Sequence, residues 1–378
     1  MRIALVSQNV SPGITTFRKE LILELIERGH EVYALASDYS ETSRQQVKAF
    51  GAIPISYPMD RAGLNPIKDF INWLALCRTL KQIKPMVVLS FFMKPSIYGT
   101  LAAKVVGVER RFAMVEGLGY AFTKEKRGFT LKKKLIQKVL GLLSTVSFFF
   151  ADKVFFLNRD DSRDLRQVSL FSENKVITLG GIGVDLCKFR YEPLKTRSRL
   201  RFIFIARLLK EKGIYEFINA VRMVKETYPD TEFVVLGGLD SENPSGITQS
   251  ELDNFIDEGL ISSPGFVTDV EKWISDSDVF VLPSYREGIP RSTQEAMAMG
   301  KAIITTDTPG CRETVIEGVN GLLVPPFDAS KLAESMIYLI NNKDVVLKMG
   351  EASRVFAEEH FDVKKINKKL IDILLANS

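Results

Sequence analysis

Two glutamates, Glu287 and Glu295, stand eight positions apart in the stretch SYREGIPRSTQEAMAMG. The apolar run VFVLPS just before them predicts a strand, and the Ala/Met-rich run after Pro290 predicts a helix. Because proline suits the first position of a helix, we place the helix start near Pro290. Backbone N–H groups at such a start, here those of Gly288 and Ile289, favour a phosphate or the polar groups of a sugar.

The two carboxylates suit a ligand that is rich in hydroxyl groups. Glu287 follows the end of the predicted strand, where its carboxylate can accept hydrogen bonds from vicinal hydroxyls. Gly288 lets such a ligand approach the backbone closely. Glu295 lies more than one turn into the helix and can reach a second polyol, such as a ribose. The alternative is an ordinary glutamate at a helix N-terminus together with a surface glutamate.

A second stretch, FIARLLKEKG, supplies two cations. Arg207 leaves the end of a predicted strand, and Lys212 precedes Gly213 at the start of the next predicted helix. Two cations beside a helix N-terminus match a diphosphate, whose charge they can neutralise as it leaves. The alternative is an unspecialised pair of surface charges.

These side chains need a fold that brings them to one edge of a sheet. In the first half, the runs RIALVS, TTFRKELILELIERGHEV and VYALAS read as strand, helix and strand, which favours a parallel sheet. The second half repeats this order from Leu200 with LRFIFIARL, KGIYEFINAVRMVKETYP and TEFVVLGG. We therefore predict an α/β fold of two doubly wound, Rossmann-like domains that face each other across a cleft.

The predicted domains span residues 1–185 and 200–359. The stretch GGIGVDLCKFRYEPLKTRSR, from Gly180 to Arg199, is rich in glycine and charge and lacks periodicity, so residues 186–199 within it form the predicted linker. The last helix, about 360–378, is amphipathic and can return to the first domain.

Composition narrows the class of protein. The 378 residues carry a net charge of +5, which does not imply nucleic acid as a partner. Three widely spaced cysteines without a CxxC pair, and only two histidines, argue for a reducing compartment and against a disulfide framework or a metal centre. The N-terminus turns polar after a few apolar residues, so we expect no signal peptide.

A basic segment leads into the longest apolar stretch, VLGLLSTVSFFFADKVFFLN. Polar residues interrupt that stretch, which lacks the roughly 20 consecutive apolar residues that span a bilayer. Basic residues beside apolar ones describe a surface that can lie on anionic lipid, and the alternative is a solvated helix face. The basic residues of the segment are Lys124, Lys126, Arg127, Lys132, Lys133, Lys134 and Lys138.

Together the motifs resemble a known family. EGIP with a glutamate eight positions after the first is the E-x7-E signature of retaining glycosyltransferases of the GT-B fold. Over essentially its whole length the chain resembles family 4, the group 1 type, whose landmarks IARLLKEKG, GVDLCKF, VLPSYREGIP and NGLLVPPFD match. FAMVEGLGYAF and GGLDSENPS look most like the bacterial enzymes that add N-acetylgalactosamine or a related hexose to a sugar carried on undecaprenyl diphosphate.

The resemblance implies roles for the residues singled out. Arg207 and Lys212 bind the donor diphosphate, Glu287 holds hydroxyls of the donor sugar, and Glu295 holds the ribose. Many members carry a histidine where this chain reads MVEGLGY, and the resemblance implies that either Glu116 or the backbone at Gly117 takes over that part of the site. The predicted catalytic residues are Arg207, Lys212 and Glu287, and the predicted donor-binding residues are Gly13, Glu116, Gly117, Gly288, Ile289, Pro290 and Glu295.

The resemblance further implies transfer of a hexosyl or N-acetylhexosaminyl group, with N-acetylgalactosamine as the best candidate. The donor is a UDP-sugar bound by the C-terminal domain. The acceptor is a sugar on undecaprenyl diphosphate, bound by the N-terminal domain during assembly of a bacterial surface polysaccharide. The protein would be cytoplasmic, and peripheral on the inner face of the cytoplasmic membrane.

The implied reaction retains the anomeric configuration, and the departing phosphate oxygen accepts the acceptor's proton. No cofactor or metal is expected, because the two cations and the helix N-terminus neutralise the diphosphate. Asp276 and Asp278 resemble a metal-binding D-x-D but fall at the amino end of a predicted strand. A UDP-sugar epimerase or phosphorylase of the same fold, or a non-catalytic nucleotide-sugar-binding protein, remains the alternative.

Overall fold

The structure, a computed structural model, describes residues 1–60, 65–126, 128–193, 199–240 and 243–376. The chain forms two compact units. Unit 1 comprises Met1–Phe122, Thr130–Ile182 and the segment that begins at Val363, and unit 2 comprises Gly183–Asp362 with the short segment Thr123–Phe129. The division after Ile182 lies slightly before the boundary at 185 that the sequence suggested.

Unit 1 contains one parallel sheet. Its strands are β1 (Arg2–Val6), β2 (Glu31–Ala36), β3 (Ile53–Ser56), β4 (Val87–Phe91), β5 (Arg110–Val115), β6 (Lys153–Phe156) and β7 (Val176–Thr178). They lie in the order β3-β2-β1-β4-β5-β6-β7, so the order reverses between β1 and β4. The connecting helices are α1 (Lys19–Glu27), α2 (Glu41–Ala49), α3 (Pro66–Ile83), α4 (Met93–Val105), α5 (Leu131–Phe149) and α6 (Arg159–Arg166).

Strand β1 shows why the apolar runs are continuous. Ile3 and Leu5 join one core cluster, which includes the buried face of α1. Ala4 and Val6 join another, which includes residues of α3 and α4. Because successive side chains of a strand point to opposite faces, a strand covered by helices on both faces must be apolar throughout.

Unit 2 contains a second parallel sheet. Its strands are β8 (Arg201–Ile205), β9 (Glu232–Leu236), β10 (Ser262–Gly265), β11 (Val279–Leu282), β12 (Ala302–Thr306) and β13 (Gly321–Val324). Their order is β10-β9-β8-β11-β12-β13, which reverses between β8 and β11. The helices are α7 (Ile214–Thr227), α8 (Gln249–Asp257), α9 (Val270–Ser275), α10 (Arg291–Ala298), α11 (Ala329–Asn341) and α12 (Lys343–His360). The predicted class, two doubly wound α/β domains, is confirmed.

The described part of the predicted linker belongs to unit 2. Phe189 is buried, and its carbonyl oxygen accepts a hydrogen bond from Nη1 of Arg354 at 3.2 Å. Residues 186–193 therefore belong to unit 2, and Phe189 anchors them there.

The last helix, α13 (Val363–Leu375), belongs to unit 1. Its buried side chains Leu370, Ile371 and Leu374 complete the core cluster beneath α1. At its end, Nη1 of Arg110 donates to the Leu374 carbonyl at 3.3 Å. The amphipathic pattern of this helix thus covers a face of the first sheet that α1 and α2 alone leave incomplete.

Candidate functional site

The predicted cations and the first glutamate meet where the strand order of unit 2 reverses. Arg207 and Lys212 lie in the loop that follows β8, and Glu287 lies in the loop that follows β11. Since β8 and β11 are neighbours, both loops leave the same edge of the sheet. In open α/β sheets this carboxyl edge, at the point of reversal, is where ligands bind.

Two ion pairs hold the cations there. Nζ of Lys212 lies 2.6 Å from Oε1 of Glu287, and both side chains are mostly buried. Nη1 of Arg207 lies 2.9 Å from Oδ2 of Asp240, and about half of the arginine side chain remains exposed. Asp240 was not predicted from the sequence, although it falls within GGLDSENPS. The sequence feature that could have indicated Asp240 is its position after β9, because β9 is the neighbour of β8, the strand that Arg207 follows.

Two glycines allow these loops to pack so closely. A Cβ on Gly213 would lie 2.1 Å from the carbonyl oxygen of Pro283, and the residue has φ +77. A Cβ on Gly310 would lie 2.2 Å from the carbonyl oxygen of Glu287. Any side chain at either position would displace backbone that carries Lys212 or Glu287. Gly310 was not predicted from the sequence either.

Helix α10 begins one residue later than predicted. Arg291 is its first residue, and Pro290 occupies the N-cap position with φ −67 and ψ 125. The proline backbone is extended there, so the chain turns into the helix immediately after it. Gly288, Ile289 and Pro290 therefore form the approach to the helix N-terminus, next to Glu287.

The side chain of Gln294 holds the backbone of Ile289 in place. That side chain is fully buried; Nε2 donates to the carbonyl of Ile289 at 3.2 Å, and Oε1 accepts from the amide of Gly183 at 3.1 Å. This buried amide was not predicted, because nothing in the local pattern distinguishes it from a core position of the helix.

Glu295 is almost fully buried on α10 and pairs with Arg291. Nε of Arg291 lies 2.9 Å from Oε1 of Glu295, one helical turn away. Burial raises the pKa of the Glu295 carboxyl above its ordinary value, and the Arg291 guanidinium partly opposes that shift. Its carboxylate is thus pre-oriented by a cation, a feature that the sequence analysis did not anticipate.

In unit 1, Gly13 and Glu116 both lie at the carboxyl edge of the sheet. Gly13 is in the loop after β1, and a Cβ there would lie 2.5 Å from the carbonyl oxygen of Asn9. Glu116 follows β5 directly, and its carboxylate forms a buried ion pair with Arg18. Gly117 has φ +136, a conformation that favours glycine. Arg18 is a further residue that the sequence did not reveal.

The predicted basic segment divides between the units. Lys124 and Lys126 are exposed and belong to unit 2, and Arg127 lies outside the described residues. The remaining lysines lie on α5 in unit 1. One of them corrects the prediction: Lys133 is buried, with Nζ 4.2 Å from the centroid of the Tyr120 ring. Lys132, Lys134 and Lys138 are exposed.

One face of α5 is apolar and exposed to solvent. We call this surface the α5 face; its residues are 39% to 85% exposed and recur at intervals of three or four positions along the helix. They are Leu131, Leu135, Val139, Leu142, Val146 and Phe149. Within the described parts of the chain, no helix has the length and apolar composition needed to cross a bilayer.

Asp276 and Asp278 lie at the opposite edge of the second sheet from the cations. Asp278 precedes β11, and its Oδ2 accepts from the backbone amide of Arg201, the first residue of β8, at 2.7 Å. The Arg201 guanidinium pairs with Asp276. Both carboxylates are thus engaged in holding the amino ends of two neighbouring strands.

Comparisons with known sequences cover both units. Residues 199–342 match the family described as glycosyl transferases group 1, and residues 2–150 match the one described as glycosyl transferase 4-like.

Relatives match nearly the whole chain. An N,N'-diacetylbacillosaminyl-diphospho-undecaprenol α-1,3-N-acetylgalactosaminyltransferase of Campylobacter jejuni is 32% identical over 93% of this chain and 92% of its own. A UDP-Gal:α-D-GlcNAc-diphosphoundecaprenol α-1,3-galactosyltransferase of Escherichia coli is 25% identical over 82% of this chain and 80% of its own. Among solved structures, HepE of Anabaena in complex with UDP-glucose superimposes with a TM-score of 0.77 at 17% identity, covering 100% of both chains.

Proposed function

The chain belongs to the group 1 glycosyltransferases, and from that premise we propose that it transfers a hexosyl or N-acetylhexosaminyl group from a UDP-sugar to a sugar carried on undecaprenyl diphosphate. N-acetylgalactosamine is the first candidate for the transferred sugar, because the Campylobacter relative is named for it. UDP is the proposed nucleotide, because the Escherichia coli relative is named for UDP-galactose.

The contact between Lys212 and Glu287 is the observation that carries this proposal. The lysine ammonium and the glutamate carboxylate lie 2.6 Å apart at the reversal point of the sheet. A phosphate oxygen bound by Lys212 and a sugar hydroxyl bound by Glu287 would then be neighbours. In a sugar phosphate, a phosphate oxygen and a sugar hydroxyl are neighbours in this way, because the anomeric carbon is joined to phosphorus through one oxygen. Arg207, half-exposed in the same loop as Lys212, can bind the second phosphate.

The proposed reaction is a front-face substitution that retains the anomeric configuration. The acceptor hydroxyl oxygen forms a bond to the anomeric carbon as the bond from that carbon to the UDP oxygen breaks. The hydroxyl proton passes to the departing phosphate oxygen. The protein aligns the reactants and stabilises the negative charge that develops on UDP, through Lys212, Arg207 and the α10 N-terminus. We propose that no metal is needed.

Glu295 is the proposed ribose ligand. Its carboxylate can accept two hydrogen bonds from vicinal hydroxyls when it is ionised. The guanidinium of Arg291, 2.9 Å away, favours that ionised form against the effect of burial. Gly288, Ile289 and Pro290 complete the proposed donor site with their backbone, while Gly13 and Gly117 supply backbone at the carboxyl edge of unit 1.

The α5 face is the proposed contact with the membrane that holds the lipid acceptor. An interfacial helix needs an apolar side and basic residues that flank it. Helix α5 is 19 residues long, about 28 Å at the usual rise, and Lys132, Lys134 and Lys138 accompany its apolar face. Charge complementarity selects an anionic surface, and we infer the inner face of a cytoplasmic membrane, where UDP-sugars and the lipid acceptor would meet.

A panel of UDP-sugars offered with synthetic lipid-diphosphate mono- and disaccharides tests the function, with products identified by mass spectrometry. We expect one sugar to be added to one lipid acceptor with release of UDP, and an α linkage from an α-configured donor. An epimerised UDP-sugar, or phosphorolysis without a lipid acceptor, would overturn the proposal. Binding of UDP without turnover of any donor in the panel would also contradict it.

A further inference from the structure

Unit 1 contains a buried ion pair between Arg18 and Glu116. Arg18 directly precedes α1, and Glu116 directly follows β5. Only 5% of the arginine side chain and 4% of the glutamate side chain are exposed. Little of either side chain therefore faces solvent, and the carboxylate of Glu116, a predicted donor-binding residue, is paired with Arg18.

The pair spans the reversal point of the first sheet. The guanidinium carbon of Arg18 lies 4.1 Å from the centroid of Phe91, the last residue of β4. Nη2 of Arg18 also lies 3.4 Å from the sulfur of Met114 in β5. The arginine thus reaches from the loop after β1, past the end of β4, to the end of β5, along the edge at which open α/β sheets bind ligands.

Stability alone does not account for such a pair. Removing two charges from water costs several kcal/mol per ion, and replacement of a buried pair by apolar or neutral groups of similar volume is often neutral or stabilising. What a charged pair adds is geometry, because a guanidinium and a carboxylate interact in a few fixed orientations. We therefore expect the ion pair to act by orienting the loops that carry Arg18 and Glu116.

The pair joins two loops whose shapes are fixed by glycine. On the Arg18 side lies the loop with Gly13, where any Cβ would be 2.5 Å from backbone oxygen. On the Glu116 side follow Gly117 and Gly119, with φ +136 and φ +68. These loops carry the backbone that we propose for substrate contact in unit 1.

We propose that Arg18 is a positioning residue that acts through Glu116, and that their ion pair holds the backbone at Gly13 and Gly117 in the geometry that receives a sugar substrate. This inference rests on the proposed function. The substrate at this edge is either the donor's sugar or the acceptor's sugar. UDP itself is bound by unit 2 in our proposal, so the pair should affect transfer and leave UDP affinity unchanged.

Three variants test this: Arg18→Met, Glu116→Gln and the combination of both. Each single change leaves a buried charge without its partner, so both single variants should melt several degrees below the wild type. The double variant removes both charges and should recover most of the melting temperature.

We expect the kcat/KM of the double variant for transfer to stay at least tenfold below the wild type, while its Kd for UDP by calorimetry is unchanged. A raised KM for the UDP-sugar alone assigns the edge to the donor, and a raised KM for the lipid acceptor alone assigns it to the acceptor.

A second arginine–carboxylate pair, more exposed and at the other end of β5, is the control. Nη2 of Arg111 lies 3.6 Å from Oδ1 of Asp152 at the amino edge of the same sheet. The double change Arg111→Met with Asp152→Asn should alter stability and leave kcat/KM within about twofold of the wild type.

A double variant of Arg18 and Glu116 that regains both stability and activity would show that the pair only stabilises the fold, and would overturn the inference. If that double variant does not fold, Arg18→Lys decides, since it keeps the charge but loses the planar guanidinium. We expect it to fold with transfer at least fivefold slower, and wild-type kinetics would overturn the inference. If the wild-type protein has no activity with any UDP-sugar, the proposed function is refuted. That result differs from an active wild type whose double variant is equally active, which overturns only the inference about the ion pair.

Discussion

At the scale of single residues, Lys212 is the most sharply placed cation of the candidate site. Its ammonium group is mostly buried and touches Glu287 at the reversal point of the second sheet. We expect Lys212→Ala to lower kcat about 10²- to 10³-fold, because the lost interaction strengthens as the diphosphate leaves. Steady-state kinetics with the identified donor measures this.

Lys210 offers a matched control for that change. It is exposed and lies two positions before Lys212 in the same loop. Lys210→Ala removes one positive charge of the same type and should keep wild-type kcat. Equal losses in both variants would indicate a general charge effect and remove Lys212 from the proposed role.

The buried carboxyl of Glu295 predicts a pH dependence of UDP binding. Burial raises its pKa, so it becomes neutral at a higher pH than an ordinary glutamate. The neutral form accepts fewer hydrogen bonds from the ribose, so UDP affinity should fall as the pH drops through this raised pKa. Glu295→Gln should bind UDP more weakly at neutral pH and lose this acid dependence, as measured by calorimetry.

The same shift affects stability in the opposite direction. Between the ordinary and the raised pKa, the folded protein binds more protons at Glu295 than the unfolded chain does, so the stability of the ligand-free protein falls as pH rises through this window. Glu295→Gln should remove that contribution. If the UDP affinity of Glu295→Gln still changes with pH as it does in the wild type, the group that titrates is not Glu295.

At the scale of the helix, the α5 face and its lysines should contribute to membrane binding in separable ways. Leu135→Asp with Leu142→Asp removes apolar area and should abolish sedimentation with anionic vesicles at any salt concentration. Changing the three exposed lysines of α5 to glutamate should abolish binding at low ionic strength, where charge attraction acts over a Debye length of about 30 Å at roughly 0.01 M salt. Both sets should raise the KM for the lipid acceptor and leave UDP affinity unchanged.

Val355 supplies the control for those changes. It is 53% exposed on α12 in unit 2, so Val355→Asp introduces the same kind of charge at an exposed apolar residue elsewhere. It should sediment with vesicles as the wild type does. Wild-type vesicle binding by the Leu135 and Leu142 variant would return α5 to an ordinary solvated helix.

Helix α13 should stabilise unit 1 specifically. Leu374 is fully buried in the cluster beneath α1, so Leu374→Ala leaves a cavity and should cost about 2–5 kcal/mol in the free energy of unfolding. Denaturant unfolding, with Lys368→Ala on the exposed side of the helix as the control, measures this. Equal stability of the two variants would mean that the helix contributes little to the core.

At the scale of the whole molecule, we expect transfer to proceed without a divalent metal. The two acidic residues that resemble a metal motif hold the amino ends of β8 and β11 together with Arg201. Full activity in excess EDTA is the expected result. Loss of turnover on chelation, restored by Mn²⁺ or Mg²⁺, would contradict the assignment of charge neutralisation to Arg207 and Lys212.

The sequence predicted the fold, and it placed Arg207, Lys212 and Glu287 at one edge of a sheet, because both expectations rest on local patterns. Strands covered on both faces are continuous apolar runs, and Arg207, Lys212 and Glu287 each follow such a run. The partners of these residues were not predictable, since Asp240 meets Arg207 only through the order of the strands. Arg18 and Glu116 are far apart in the chain and meet only across three strand ends.

Lys133 shows that the sequence also does not predict which side of a helix is exposed. In a run of three lysines, nothing local distinguishes the one that turns inward. Its ammonium group lies over the Tyr120 ring, which belongs to another segment of the chain. The side of α5 that is exposed follows from which neighbours cover the helix, and the sequence alone does not specify those neighbours.

The return of α13 to unit 1 has a consequence for how the protein is made. During synthesis, the ribosome releases the first 182 residues long before it reaches Val363, so the cluster beneath α1 must wait for its last side chains until all of unit 2 has been translated. The first domain to emerge is thus the last to be completed. Until then the nascent chain exposes apolar surface around Leu25 and Ile22, the kind of surface that chaperones bind and that aggregates at high concentration.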